Sequence, residues 1–129
     1  MNEAGWTHQV QAIARYVADG KIVLVDVTAD WCLTCQVNER LVLRSPAVND
    51  RLRRPDVVVM RADWTRSDTA IAEYLRSFGR YGIPFSAVYG PAMPQGLPLS
   101  EILTAGEVLR SLAEVASRLA ARSVFEEPH

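Results

Sequence analysis

Cys32 and Cys35 are the only cysteines of this 129-residue chain, and Leu33 and Thr34 separate them. Before them runs the apolar segment Ile22-Val-Leu-Val-Asp-Val27, then Ala29-Asp-Trp31. A strand that hands a CxxC pair to the start of a helix sets up dithiol–disulfide chemistry. The first sulfur then lies at the positive end of the helix dipole, where backbone N–H groups favour a thiolate. The second, one turn on, can attack a mixed disulfide at the first and release its partner. The ring closed by two such near neighbours constrains the unfolded chain little, so the pair suits reaction better than stapling. Two other uses stay open: ordinary buried thiols, and a zinc site. Zinc asks for four ligands, yet only His8 and His129 remain as histidines and no second CxxC exists.

The residues around the pair add to this. Asp26 lies six positions before Cys32 in the middle of the apolar run, a costly place for a carboxylate unless it is used or exposed at a strand edge. Ile83-Pro84 is a second candidate. An X-Pro bond lowers the cost of the cis form to about 0.5–1 kcal/mol, and the bend would expose backbone to which an extended partner segment could pair as an added strand. Gly82 would ease that turn, and a trans proline opening a strand is the plainer alternative.

These residues need a scaffold. Trp6 to Ala18 has helical spacing at Val10, Ile13, Ala14 and Val17, with Thr7 as a cap, and Asp19-Gly20 ends it. Lys21 to Thr28 reads as a strand buried on both faces. Cys32 to about Leu43 reads as a helix with Cys35, Val37 and Leu41 on one face. Ser45-Pro46 opens another helix, to about Arg53, with Ser45 as cap. Asp56 to Asp63 is predicted to be a second buried strand. Asp68 to Phe78 is an amphipathic helix with Ile71, Tyr74, Leu75 and Phe78 inward, stopped by Gly79. Pro84 to Tyr89 is a strand, Gly90 to Gly96 a turn region, and Leu97 to Leu103 an edge strand marked by Pro98. Thr104-Ala-Gly-Glu107 matches a capping box opening a helix to about Ala121. The reading is one α/β domain over residues 1–122, a mixed central sheet with helices on both faces, and a flexible tail at 123–129.

Bulk properties bound the function less. Apolar content of 49%, 22% charged residues and a formal charge of −1 describe an ordinary globular protein and give no reason to invoke nucleic acid or an anionic membrane. Lys21 is the only lysine, and the arginines are scattered. No stretch approaches the roughly 20 apolar residues that span a bilayer. Met1-Asn-Glu-Ala-Gly-Trp6 lacks the basic and apolar regions of a signal peptide.

The window Val25 to Cys35, with Tyr81-Gly-Ile-Pro84 downstream, resembles the thioredoxin superfamily. More narrowly, Ala29-Asp-Trp-Cys32, Ala62-Asp-Trp-Thr65, Phe78-Gly-Arg-Tyr-Gly-Ile-Pro84 and Leu99-Ser-Glu-Ile-Leu-Thr104 are similar to the C-terminal periplasmic domain of DsbD-type thiol–disulfide interchange proteins. The resemblance covers about residues 8 to 120. It implies a thioredoxin-like fold and a thiol–disulfide oxidoreductase of the protein-disulfide reductase type. No diffusible cofactor is implied, because the Cys32–Cys35 disulfide is the redox centre. A domain of this kind takes electrons from a membrane-embedded donor domain and passes them, through mixed disulfides, to a periplasmic acceptor domain or protein. It would sit on the periplasmic side of the bacterial inner membrane as part of a membrane protein, and be monomeric.

By the same resemblance Cys32 is the nucleophile, Cys35 the resolving thiol, and Pro84 a cis proline facing them. Asp26 matches the buried acid that exchanges the Cys35 proton, and Glu39 an acid near the cysteines, with a solvated helix residue as its alternative. Two nearby carboxylates would make Cys32 less acidic than in oxidising relatives. Trp31, with a core tryptophan as its alternative, and Ile83 are expected beside the partner-docking groove; Asp30 is expected to be a loop acid and Trp64 a packing residue or loop anchor. Leu33-Thr34 departs from the Gly-Pro of thioredoxin itself, so the redox potential does not carry over. The rivals are a free cytoplasmic thioredoxin served by a reductase, and a non-enzymatic module that binds a partner or metal through the same cysteines.

Overall fold

The computed structural model describes residues 3–116. The helix expected to reach Ala121, the tail at 123–129 and His129 extend beyond the described residues.

Four strands form one sheet in the order β2-β1-β3-β4. β1 (Ile22–Thr28) runs parallel to β2 (Val57–Asp63) and antiparallel to β3 (Phe85–Gly90), which pairs antiparallel with β4 (Met93–Pro98). β1 is buried along nearly its whole length because helices cover both faces. Val23, Val25 and Val27 point toward α1 (Glu3–Ala18) and α4 (Thr69–Ser77), joining Trp6, Ile13, Val17, Ile71 and Leu75. Ile22 and Leu24 point the other way, onto Val42, Leu43, Val48 of α3 (Pro46–Leu52), and Val108, Leu112 and Val115 of α5 (Ala105–Val115). This is the mixed sheet with two helical layers that the sequence predicts.

Four readings are corrected. The first helix starts at Glu3, so Thr7 lies inside it rather than capping it. β2 is an edge strand with only Met60 and Ala62 buried, because nothing pairs with its outer side among the described residues. β4 begins at Met93, inside the expected turn region, and Leu99 to Leu103 is not strand. Pairing with β3 (Gly90 opposite Met93) recruits residues whose own preferences favour a turn.

The fourth correction lies in the helix that carries the cysteines. α2 (Leu33–Asn38) gives way to a π-helical turn at Glu39–Leu43, where the Arg44 N–H reaches the Glu39 carbonyl at 2.9 Å. The extra residue rotates the chain, so Val42 and Leu43 face the core while Leu41 is exposed; Val37, two residues and about 200° around α2 from buried Cys35, is exposed as well, contrary to the face predicted for them.

Caps act as their chemistry suggests, with two variations. Ser45 occupies the cap position of α3, yet its hydroxyl donates back to the Val42 carbonyl (2.6 Å). Thr104 Oγ1 accepts the Glu107 N–H (3.1 Å), while the Glu107 carboxylate accepts from Ser100 N (2.8 Å) instead of closing the box. Asp68 is the buried cap of α4, its Oδ1 accepting the Ile71 N–H at 3.1 Å. Asp68→Ala should lower stability by about 1 kcal/mol, measured by urea unfolding. An unchanged midpoint would show that this bond contributes nothing net.

Candidate redox site

Cys32 caps the N-terminus of α2 and is bonded to Cys35, with their Cα atoms 5.3 Å apart. The Cys32 Sγ accepts the Cys35 N–H at 3.2 Å, which is the contact a thiolate there would strengthen. Both cysteines are buried, Cys32 to 6% exposure, in a small cluster with Ala29 against which Ile83 packs. The Ile83-Pro84 bond is cis, and Pro84 is buried at the start of β3. Topology explains the meeting. β1 and β3 are antiparallel neighbours, so the C-terminal end of β1 and the N-terminal end of β3 lie at the same edge.

The loop between β1 and α2 is held by the segment after β2. Trp64 N donates to the Thr28 carbonyl (2.7 Å), Asp30 N to Thr65 Oγ1 (2.8 Å), and Trp31 Nε1 to the Thr65 carbonyl (3.1 Å). The Thr65 hydroxyl in turn donates to Asp63, as does its N–H at 2.9 Å, and these bonds hold the Asp63 carboxyl below its usual range. Gln36 Nε2 donates to the Asp30 carbonyl (2.7 Å), tying α2 to the same loop. Asp63-Trp64-Thr65 is thus a clamp, to which Trp64 contributes through its backbone while its side chain packs against the core. The Thr65 contribution was not read from the sequence.

Trp31 is 59% exposed. It lines an open groove of about 530 Å³ with Trp64, Thr65, Arg66, Tyr81 and Ile83. Ile83, at this groove, also packs against the cysteine cluster.

Asp26 sits in β1 on the same face as Ile22 and Leu24, 8% exposed, opposite Ser86 of β3 and Arg61 of β2. Burial pushes its carboxyl up to about 6; Arg61 pulls it down, Glu39 raises it further, and a Ser86 hydrogen bond lowers it. The Arg61 Nε lies 3.8 Å from Asp26 Oδ2, while its Nη2 is 3.0 Å from Glu39 Oε2. Arg44 Nη2 reaches that same Glu39 oxygen at 3.1 Å. Glu39, on the π-helical turn, is therefore an ion-paired residue rather than a solvated helix side chain. The sequence reading set two carboxylates against Cys32; the structure inserts a guanidinium between them. Arg61 was missed, although the strand offset could have placed it across from Asp26.

Among the described residues, no group of three or more His, Cys, Asp or Glu is placed to hold a metal ion. No described helix is long and apolar enough to cross a membrane.

A thioredoxin-like family model matches residues 6–91. Among curated relatives, the thiol:disulfide interchange protein DsbD 1 of Pseudomonas aeruginosa is 37% identical over 112 residues, 86% of this chain but 18% of that protein. DsbD of Salmonella typhimurium is 34% identical over 88 residues, 66% of this chain and 15% of that protein. The chain thus spans less than a fifth of the length of these relatives. The reduced C-terminal domain of Neisseria meningitidis DsbD superposes with a TM-score of 0.65 at 21% identity, covering 84% of this chain and 95% of that one. A Thermus thermophilus thioredoxin superposes at 0.64 with 22% identity, covering 93% of each. These structural likenesses show the fold, and the family match covers most of the cysteine-bearing body. With a CxxC disulfide at the head of α2, the chain belongs to the thioredoxin-like family.

Proposed function

We propose that this chain is the C-terminal, electron-relaying domain of a DsbD-like membrane protein, acting as a reductant on the periplasmic side of the inner membrane. The observation that carries the reading is the Cys32–Cys35 disulfide packed against Ile83 of the cis Ile83-Pro84 bond, in a chain whose curated relatives are DsbD proteins. Residues 1–122 would form the single folded unit.

In the reduced protein the Cys32 thiolate attacks one sulfur of a partner disulfide. A Cys32–partner bond forms and the partner's other sulfur leaves as a thiolate, which takes a proton from water. The Asp26 carboxylate takes the Cys35 proton, and the Cys35 thiolate attacks the Cys32 sulfur. The Cys32–Cys35 bond closes and the partner's remaining sulfur leaves with its electron pair. Two electrons have passed from the dithiol to the partner. A dithiol on a membrane-embedded domain returns them by the reverse steps.

The groove beside Trp31, with the Ile83 backbone at its end, takes the extended segment that carries the partner's cysteine. Glu39 acts on Asp26 through charge rather than by touching substrate. Because the exchange runs on sulfur alone, no further cofactor is required.

Cys35→Ala tests the reading. Mixed with oxidised periplasmic proteins, this variant should accumulate mixed disulfides through Cys32 that non-reducing electrophoresis and mass spectrometry identify. The Cys32→Ser/Cys35→Ala double variant should show none. Failure to trap any disulfide-bearing periplasmic protein through Cys32 would count against a periplasmic relay.

A further inference from the structure

We infer that Arg61 is a positioning residue shared by Asp26 and Glu39, through which the charge on Glu39 sets the proton affinity of the buried acid. The inference deepens the proposed function, since it rests on Asp26 handling the Cys35 proton.

Parallel pairing places Asp26 directly across from Arg61, so both side chains leave the sheet on the same face. Arg61 does not settle on Asp26. Its nearest contact there is 3.8 Å, too long for a hydrogen bond, whereas it donates to Glu39 at 3.0 Å. One oxygen of Glu39 also pairs with Arg44, across the wide π-helical turn that brings residues 39 and 44 together. Glu39 therefore draws Arg61 away from Asp26. If Glu39 loses its charge, a repelling carboxylate disappears and Arg61 is also released toward Asp26. Both effects lower the proton affinity of Asp26.

The groups facing Asp26 are Arg61 from β2, Ser86 from β3 and Glu39 from the π-helical turn; Arg44 bears on it through Glu39. The outer end of this chain is accessible. Glu39 and Arg44 line a shallow surface pocket of about 130 Å³ with Gln36 and Arg40, while Asp26 is buried. A charge brought to that pocket can reach the buried acid without touching it.

The test is the Asp26 titration midpoint, read by carboxyl carbon NMR in the oxidised protein. Arg61→Met should raise it and Glu39→Gln should lower it. In the Arg61→Met background the Glu39→Gln shift should fall to half or less, because only the direct repulsion remains. Arg61→Lys, which keeps the charge but not the two-ended fork, serves if the methionine variant does not fold. It too should diminish the Glu39→Gln shift. An Asp26 midpoint indifferent to Arg61, or a Glu39→Gln shift of equal size in both backgrounds, would overturn the inference. Asp26→Asn with an unchanged rate of mixed-disulfide release would instead overturn the proton-acceptor role, while the titration still decides the coupling.

Discussion

Asp26→Asn should stabilise the oxidised protein by about 3 kcal/mol at pH 7 and by almost nothing near pH 3.5. The cause is burial, which lifts the Asp26 carboxyl from 3.8 to about 6 against the pull of Arg61. A raised native value means that the folded state binds more protons than the unfolded chain between those two limits. Stability therefore falls as pH rises from about 4 to about 6, and the deficit is complete above that window. The rise from 3.8 to about 6, at about 1.36 kcal/mol per tenfold change in proton affinity, sets the size of the effect. Asparagine keeps the shape and removes the charge, so the variant should lack this descending limb. Urea unfolding of the disulfide-intact protein across pH 3.5–8 checks it. Parallel pH profiles for wild type and variant would show that Asp26 is not held in a disfavoured ionised state. The prediction concerns the folded ground state alone and is independent of any partner.

The parts of the molecule that were legible are those where one local pattern dominates. β1 announces itself because both of its faces are covered, and Asp26 stands out within it because a carboxylate in such a run has no ordinary reason to be there. The CxxC pair and Ile83-Pro84 are short-range signals, and the antiparallel pairing of β1 with β3 brings them together. What escaped depends on partners distant in sequence. Val57-Val58-Val59 looks like a central strand, but strand order, which no local pattern encodes, leaves it at an edge. The apolar face was misplaced at Leu41 because a regular helix was assumed where the chain makes a π-helical turn, and at Val37 because a residue two positions from Cys35 points to the other side of α2. Met93 to Gly96 prefers a turn and becomes strand only by pairing with β3.

Arg61 is the most instructive omission. Its role is invisible until β1 and β2 are aligned, because an arginine in an edge strand is by itself unremarked. Once Ile22 is set against Val57, the register carries Arg61 to Asp26 without further assumption. Thr65 is similar: its two contacts with the Asp30-Trp31 loop span more than thirty residues of chain. Both residues orient groups that the sequence did reveal.

The same Asp26→Asn substitution should slow release of a Cys32-linked mixed disulfide by about 100-fold at pH 7, the lower end of what a positioned base contributes. Formation of that mixed disulfide by Cys32 should change far less, since Cys32 draws on the α2 N-terminus, where its sulfur already accepts the Cys35 N–H. The two steps separate in stopped-flow measurements of the reduced protein with a chromogenic disulfide. In wild type the release rate should climb as pH rises through about 6, where Asp26 ionises, and then flatten. In the variant that step should vanish, leaving a rise only as the Cys35 thiol ionises unaided. Superimposable pH profiles would remove Asp26 from the mechanism. The two effects of one substitution have a common origin. A carboxylate well solvated enough to cost the fold nothing would keep its proton affinity near 3.8 and accept the Cys35 proton poorly. One buried between Arg61 and Ser86 destabilises the native state at neutral pH and is, for the same reason, a stronger base.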